Sequence, residues 1–383
     1  MQKIGTIGFF AIATATLAGC AVSTAPTDDR KEVSSQSEPL IAPGMLSDDY
    51  SPLVAGSGET VAAFNPMLGQ SPENVTFIGQ DAFVTSLLSG EILRVSEDGT
   101  VTSIHVPVPP GTFVAGIQAH GSNALVFSAA LITQNGPVGS YVYKLNIDTL
   151  DLQELAYMPG AALNGLAIED LGGVESWLSV DAMAPSGVIW KGSLEGGPAA
   201  VWYEGPAVQP NASYVVTPCN PPMPVGGNGA RAYTELGMRS LVVSNTTGSS
   251  VTKIPLLQDS TPGQEALWYD TSAAPWYPDD IWPDHCGIPG FRRGAFIATH
   301  GQHRILYGNP YTGRQTELTT GLDCDGPTAV VVHGQWLYAT CGGDPLICRP
   351  DQNGNPDPSL SNLGTPALKR WKLKWTYLLP CRP

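Results

Sequence analysis

The sequence predicts an all-β chain closed into a six-bladed β-propeller of antiparallel four-stranded blades. Three observations carry that reading. Short Val/Ile/Leu/Tyr/Trp runs alternate with Gly, Asp, Asn and Pro along most of the chain, as strands and tight turns require. No window holds an apolar stripe at helical spacing for three turns. One short pattern returns six times: a polar or small residue, a tight step, then an apolar strand.

Composition agrees. Of 383 residues, 43 are Gly and 34 are Pro, which leaves little room for long helices. Charged residues make up 14% and hydrophobic ones 42%, too apolar for a chain disordered throughout. The formal net charge of -15 excludes a general nucleic-acid binder, which needs a basic face to displace phosphate counterions.

The N-terminus reads as an address. Lys3 is followed by an apolar run from Ile4 to Leu17, too short for an ordinary membrane span, so residues 1–19 are expected to be a secretory signal. Leu17-Ala18-Gly19-Cys20 resembles a bacterial lipobox, which implies cleavage before Cys20 and its acylation. The only membrane contact expected is this lipid anchor. Ala21 rather than Asp follows it, which by analogy with Gram-negative sorting favours the outer membrane. Residues 20–58, rich in Ser, Thr, Pro, Gly and Asp, read as a flexible tether with a coil dimension of roughly 35 Å. The propeller is expected over 59–383, as a monomer.

Besides Cys20 there are Cys219, Cys286, Cys324, Cys341, Cys348 and Cys381, an even set that suggests disulfides in an exported protein. Cys341 and Cys348 flank a short loop and form the favoured pair. With no C-x-x-C among the six, a zinc site is disfavoured.

The repeats set the blades. Their anchor residues are Glu73, Ala115, Asn164, Asn228, Asp279 and Pro327, at spacings of 42, 49, 64, 51 and 48. Second strands follow, as in 82–95, 124–145, 177–192, 241–256, 295–308 and 336–343. A sheet this small has two faces to bury, and radial packing covers both. Residues 369–375 read as the last strand, and residues near 61–68 as the outer strand that closes the ring.

First strands lie nearest the axis of a propeller, so their starts ring one mouth of the channel. The loops after the second strands return there, bringing Asp181, Asn245, His300, His303 and Thr340 towards the same rim. Four anchors carry oxygen donors, and two of these are carboxylates. Such a set suits Ca²⁺ or another divalent cation that accepts hard oxygen ligands. The plainer reading of each Asn or Asp alone is a turn residue. The common position in different blades is what favours a site. Trp268, Trp276 and Trp282 are candidates to wall an apolar pocket over the mouth or to pack between blades.

The segments from about Pro72 to Gly343 resemble the family of senescence marker protein, gluconolactonase and luciferin-regenerating enzyme. The resemblance rests on Pro72-Glu73-Asn74, Asn164-Gly165-Leu166, Asn228-Gly229 with Val243-Ser244-Asn245, Pro278-Asp279-Asp280 with Ala298-Thr299-His300, and Pro327-Thr328 with Tyr338-Ala339-Thr340. It implies a six-bladed propeller with a divalent metal on Glu73, Asn164, Asn228 and Asp279, and hydrolysis of a small lactone or related ester. Asp279 or Asp280, or alternatively His300, is then the candidate base for an attacking water. Two departures stand out. Ala115 occupies the anchor where related paraoxonases have His, and no Arg matches the one with which gluconolactonases grip a sugar acid. Two rival readings belong to other classes: a tethered binding propeller whose metal is structural or absent, and a lyase that depends on His300.

Overall fold

Each blade begins with a strand of small and β-branched residues, followed by a nearly continuous apolar strand. The computed structural model describes residues 51–215, 224–270, 277–284, 294–309, 314–319, 323–342, 351, 357 and 365–374. They form six four-stranded antiparallel sheets. Blade 1 contains Pro72–Ile78, Asp81–Ser86, Glu91–Val95 and Val101–His105. Blade 2 contains Thr112–His120, Ala124–Thr133, Gly136–Asn146 and Leu152–Pro159. Leu163–Asp170, Glu175–Asp181, Val188–Ser193 and Ala200–Glu204 make blade 3. Gly227–Glu235, Met238–Asn245, Ser250–Pro255 and Ala266–Asp270 make blade 4. Blade 5 is Pro278–Pro283, Ala295–Thr299, Arg304–Asn309 and Arg314–Thr319.

Blade 6 joins the two ends of the ring. Ala329–His333, Trp336–Cys341 and Ala367–Lys372 are completed on the outside by Glu59–Ala63. Glu59 pairs with Arg370 and Ala63 with Ala367. The closing strand expected near 61–68 thus starts two residues earlier, and Pro66–Leu68 is a 3-10 turn. The last strand is likewise centred slightly before the expected 369–375. Within the segment read as tether, Leu53 is already buried and bridges Leu373. The signal segment and Cys20 lie outside the described residues. Among the described residues no helix is long and apolar enough to cross a membrane.

The second strands are apolar at consecutive positions because both faces of each blade are covered. In blade 1, Phe83 points into the cluster shared with blade 2, beside Phe127, while Val84 points into the cluster shared with blade 6, beside Tyr338. In blade 4, Leu241 and Val243 face blade 3 and Val242 faces blade 5. Two further clusters lie between blades 2 and 3 and between blades 5 and 6. A strand buried on one side only would alternate; these do not.

The expected Cys341–Cys348 disulfide is replaced by Cys324–Cys341, with Cα atoms 5.2 Å apart. Cys341 ends the second strand of blade 6, and Cys324 lies in the loop that leads into the strand beside it. Antiparallel pairing brings these two together, whereas closeness along the chain does not. Cys219, Cys286, Cys348 and Cys381 lie outside the described residues.

Candidate active site

A β-bulge at the start of five inner strands builds the site. In blade 1 the pairing skips from Pro72↔Ser86 to Val75↔Val84, so Glu73 and Asn74 together oppose Thr85. The same skip sets Ala115-Gly116 against Ser128, Asn164-Gly165 against Val180, Asn228-Gly229 against Ser244, and Asp279-Asp280 against Ala298. A bulge puts two residues where one belongs and re-aims their side chains. The first residue of every bulge lines one cavity: Glu73, Ala115, Asn164, Asn228 and Asp279. The second is aimed elsewhere, and where it is glycine its backbone packs against the next blade. A Cβ on Gly116 would run into the carbonyl of Asn164, and one on Gly165 into that of Asn228. Only glycine allows the backbones to approach this closely. Blade 6 has no such skip, and its anchor Pro327 is not among the lining residues.

In blades 1, 2 and 4 a hydroxyl opposite the bulge holds it in place. Thr85 Oγ1 accepts from the Asn74 amide at 2.9 Å and donates to the Ala115 carbonyl of blade 2 at 2.6 Å. Ser128 Oγ accepts from Gly116 at 2.9 Å and donates to the Asn164 carbonyl of blade 3 at 2.9 Å. Ser244 accepts from Gly229 at 2.7 Å and donates to the Asp279 carbonyl of blade 5. In blade 6, Thr340 accepts from Ala329 at 2.8 Å, and Thr328 donates to the Pro72 carbonyl of blade 1 at 2.9 Å. In blades 1, 2 and 4 the hydroxyl satisfies backbone groups that bulging leaves without a ladder partner. The sequence carried this signal in Val84-Thr85-Ser86, Phe127-Ser128-Ala129 and Val243-Ser244-Asn245, where one hydroxyl interrupts an apolar strand, but the repeats alone do not disclose its role.

The cavity has a volume of about 190 Å³ and a mixed polar and apolar lining. Glu73, Asn164, Asn228, Thr246, Asp279 and His300 are its polar lining, and Phe113, Ala115, Ala130, Ile132, Ala182 and Met183 make up most of the apolar lining. Asn164 Nδ2 donates to Glu73 Oε1 at 3.2 Å. Asn228 Nδ2 donates to Thr246 Oγ1 at 3.1 Å, which fixes the amide plane. Its Oδ1 is buried and without a hydrogen-bond partner. His300 Nδ1 lies 3.2 Å from Asp279 Oδ2, with both side chains buried. His300 is placed by a short 3-10 turn, His300–Gln302, which ends at His303 in the left-handed region with φ of 54°.

Several expected rim residues are elsewhere. Asp280, a candidate base, is not in the cavity lining. As the second bulge residue it faces the channel interior, where it forms an ion pair with Arg231. Burial pushes its carboxyl up to about 6, against the pull of that guanidinium. Asp181 Oδ1 accepts from the amides of Ala162 and Met183 at 3.1 and 3.2 Å, so it clamps a loop. Asn245 likewise donates to the Gln209 carbonyl at 2.8 Å. His303 Nδ1 accepts from Gly326 and sits beside Asp325. Of the two readings of the tryptophans, packing holds for Trp268 and Trp282, and the apolar cavity wall is made by Phe113, Ile132 and Met183. Trp268 packs on Tyr233, Trp282 contacts the clusters flanking blade 6, and Trp276 lies outside the described residues.

Among the described residues no three His, Cys, Asp or Glu side chains gather closely enough to hold a metal. A cation here would therefore rely on the two amides as well as the two carboxylates. An all-oxygen set of this kind fits Ca²⁺, and the orphaned, buried Asn228 Oδ1 is an oxygen donor without a protein partner.

No family model matches the chain, and no curated protein does. Solved structures do match. Regucalcin from Agrobacterium tumefaciens, a calcium-binding protein, is 13% identical with a TM-score of 0.56, over 84% of this chain and 96% of its own. A candidate gluconolactonase is 11% identical with a TM-score of 0.55, over 84% and 94%. A luciferin-regenerating enzyme is 14% identical with a TM-score of 0.51, over 82% and 94%. These neighbours are the ones the resemblance implied. At such identities the likeness establishes the fold, and function must be argued from the site.

Proposed function

We propose that this chain is a Ca²⁺-assisted hydrolase of apolar lactones or related esters. One observation carries the reading: Glu73, Asn164, Asn228, Asp279 and His300, drawn from four blades, converge on a cavity whose remaining lining is largely apolar. Glu73, Asn164, Asn228 and Asp279 would hold the cation. When bound, Ca²⁺ supplies polarisation of a carbonyl and stabilisation of the oxyanion.

The chain's own residues do the rest. Phe113, Ile132 and Met183 bind the apolar part of the substrate and exclude water from it. The carbonyl is thereby left to the polar side chains. Asp279 Oδ2 accepts from His300 Nδ1–H. That tautomer leaves the imidazole acceptor at Nε2, which takes the proton of an attacking water. Among the described residues no Lys or Arg lines the cavity, which supports an uncharged substrate over an anionic sugar acid. The lipobox-like Leu17-Ala18-Gly19-Cys20 supports action at the cell envelope through a lipid anchor.

The test is a panel of aliphatic lactones and aryl esters assayed with Ca²⁺ and after chelation. Chelation is expected to abolish turnover and Ca²⁺ to restore it. Asp279→Ala should remove both metal binding and activity, and His300→Ala the activity alone. Phe113→Ala should lower kcat/KM for the longest-chain substrate by about tenfold, the worth of a lost apolar contact. Full activity after chelation would end the metal-assisted mechanism. Tight Ca²⁺ binding with no turnover of any substrate would favour a binding propeller.

A further inference from the structure

Arg231 is a cation buried where none is needed to contact substrate. It lies on the inner strand of blade 4, is 4% exposed, and does not line the cavity. Its Nη2 reaches Asn74 Oδ1 of blade 1 at 3.0 Å and Asp280 Oδ2 of blade 5. Nε and Nη1 have no hydrogen-bond partner. The guanidinium also lies 5.9 Å from the ring centre of Trp282. A buried, half-satisfied guanidinium is a costly way to gain stability, since desolvation offsets most of the attraction. Its geometry offers a better reason for its presence.

The second bulge residue is glycine in blades 2, 3 and 4 (Gly116, Gly165 and Gly229). It is a polar side chain only in blades 1 and 5, as Asn74 and Asp280, and both of these meet Arg231. Those same two blades supply the carboxylates of the cavity, Glu73 and Asp279, each one residue earlier. The correspondence links the carboxylates to the bridge.

We propose that Arg231 is a positioning residue: it spans the channel beneath the cavity and ties the bulges of blades 1 and 5 together. This sets the relation between Glu73 and Asp279 that a divalent cation would require, and so rests on the hydrolase reading for its purpose. The bridge itself does not depend on that reading.

The experiment uses the full chain and two variants. Arg231→Met alone leaves Asp280 buried without its counter-charge and is expected to fold poorly. Arg231→Met with Asp280→Asn removes both charges and keeps the fold, as shown by an unchanged circular dichroism spectrum. Two measurements follow on the double variant. In calorimetric Ca²⁺ titration of chelator-treated protein, affinity should fall about tenfold or more, as when groups that orient metal ligands are lost. In metal-free hydrogen exchange, peptides over 72–78 and 278–283 should exchange faster, while 163–170 stays unchanged. Wild-type Ca²⁺ affinity in the double variant would overturn the positioning role. Unchanged exchange in blades 1 and 5, or acceleration spread evenly over all blades, would overturn the bridge. If wild-type protein takes up no Ca²⁺, the metal reading fails, and the exchange arm alone then decides the bridge.

Discussion

Replacing Thr85 by Val tests whether hydroxyl groups tie the blades together. The side chain is fully buried, and valine keeps its shape. Two hydrogen bonds vanish: the Asn74 amide loses an acceptor at 2.9 Å and the Ala115 carbonyl a donor at 2.6 Å. Each buried group left unpaired costs about 1–3 kcal/mol. The added methyl returns about 0.8 kcal/mol of burial. The expected loss is about 1–5 kcal/mol, read from the midpoint of urea unfolding followed by Trp fluorescence. Thr85→Ser keeps the hydroxyl and should lose only about 1 kcal/mol, the worth of the missing methyl. A Thr85→Val loss below about 0.5 kcal/mol, the range of an inert surface change, would refute the reasoning.

Three further outcomes are expected. Gly165→Ala forces a Cβ against the Asn228 carbonyl; it should destabilise by about 1–3 kcal/mol and weaken Ca²⁺ uptake, both measurable on one preparation. Replacing Cys324 and Cys341 together by Ala should cost about 2–4 kcal/mol in unfolding experiments, as expected for a loop of 17 residues. Burial raises the Asp181 carboxyl above its ordinary range, so its protonation favours the folded state. That contribution is complete below the unfolded carboxylate value and lost as pH rises through the folded one. Asp181→Asn, which keeps the acceptor for Ala162 and Met183, should therefore melt higher than wild type at neutral pH, with the gap closing in acid.

Glu73, Asn164, Asn228 and Asp279 were legible because a bulge at a fixed place in the strand demands a recognisable dipeptide, and five blades repeat it. His300 was legible for a similar reason, since the loop after each second strand returns to the same mouth. Asp280 was misread for want of one geometric fact. Adjacent residues of a bulge face different surroundings, so Asp279 enters the cavity and Asp280 enters the channel. Arg231 offered only a faint sign, a charge within Gly229-Ala230-Arg231-Ala232, because its partners lie 157 and 49 residues away. Cys341 paired with Cys324 because strand neighbours, not loop neighbours, were brought together.

The amino-acid order by itself determined the blades, their number, and which side chains stand at the start of each inner strand. These follow from turn chemistry and apolar runs, which act over a few residues and leave a local trace. Only the closed ring decided which of those side chains share a cavity, which face the channel, and that Ala115 and Phe113 line the same cavity as Asp279. Such contacts join blades through space, and the physical rule that selects them, burial of both faces of every sheet, operates only once the ring has closed.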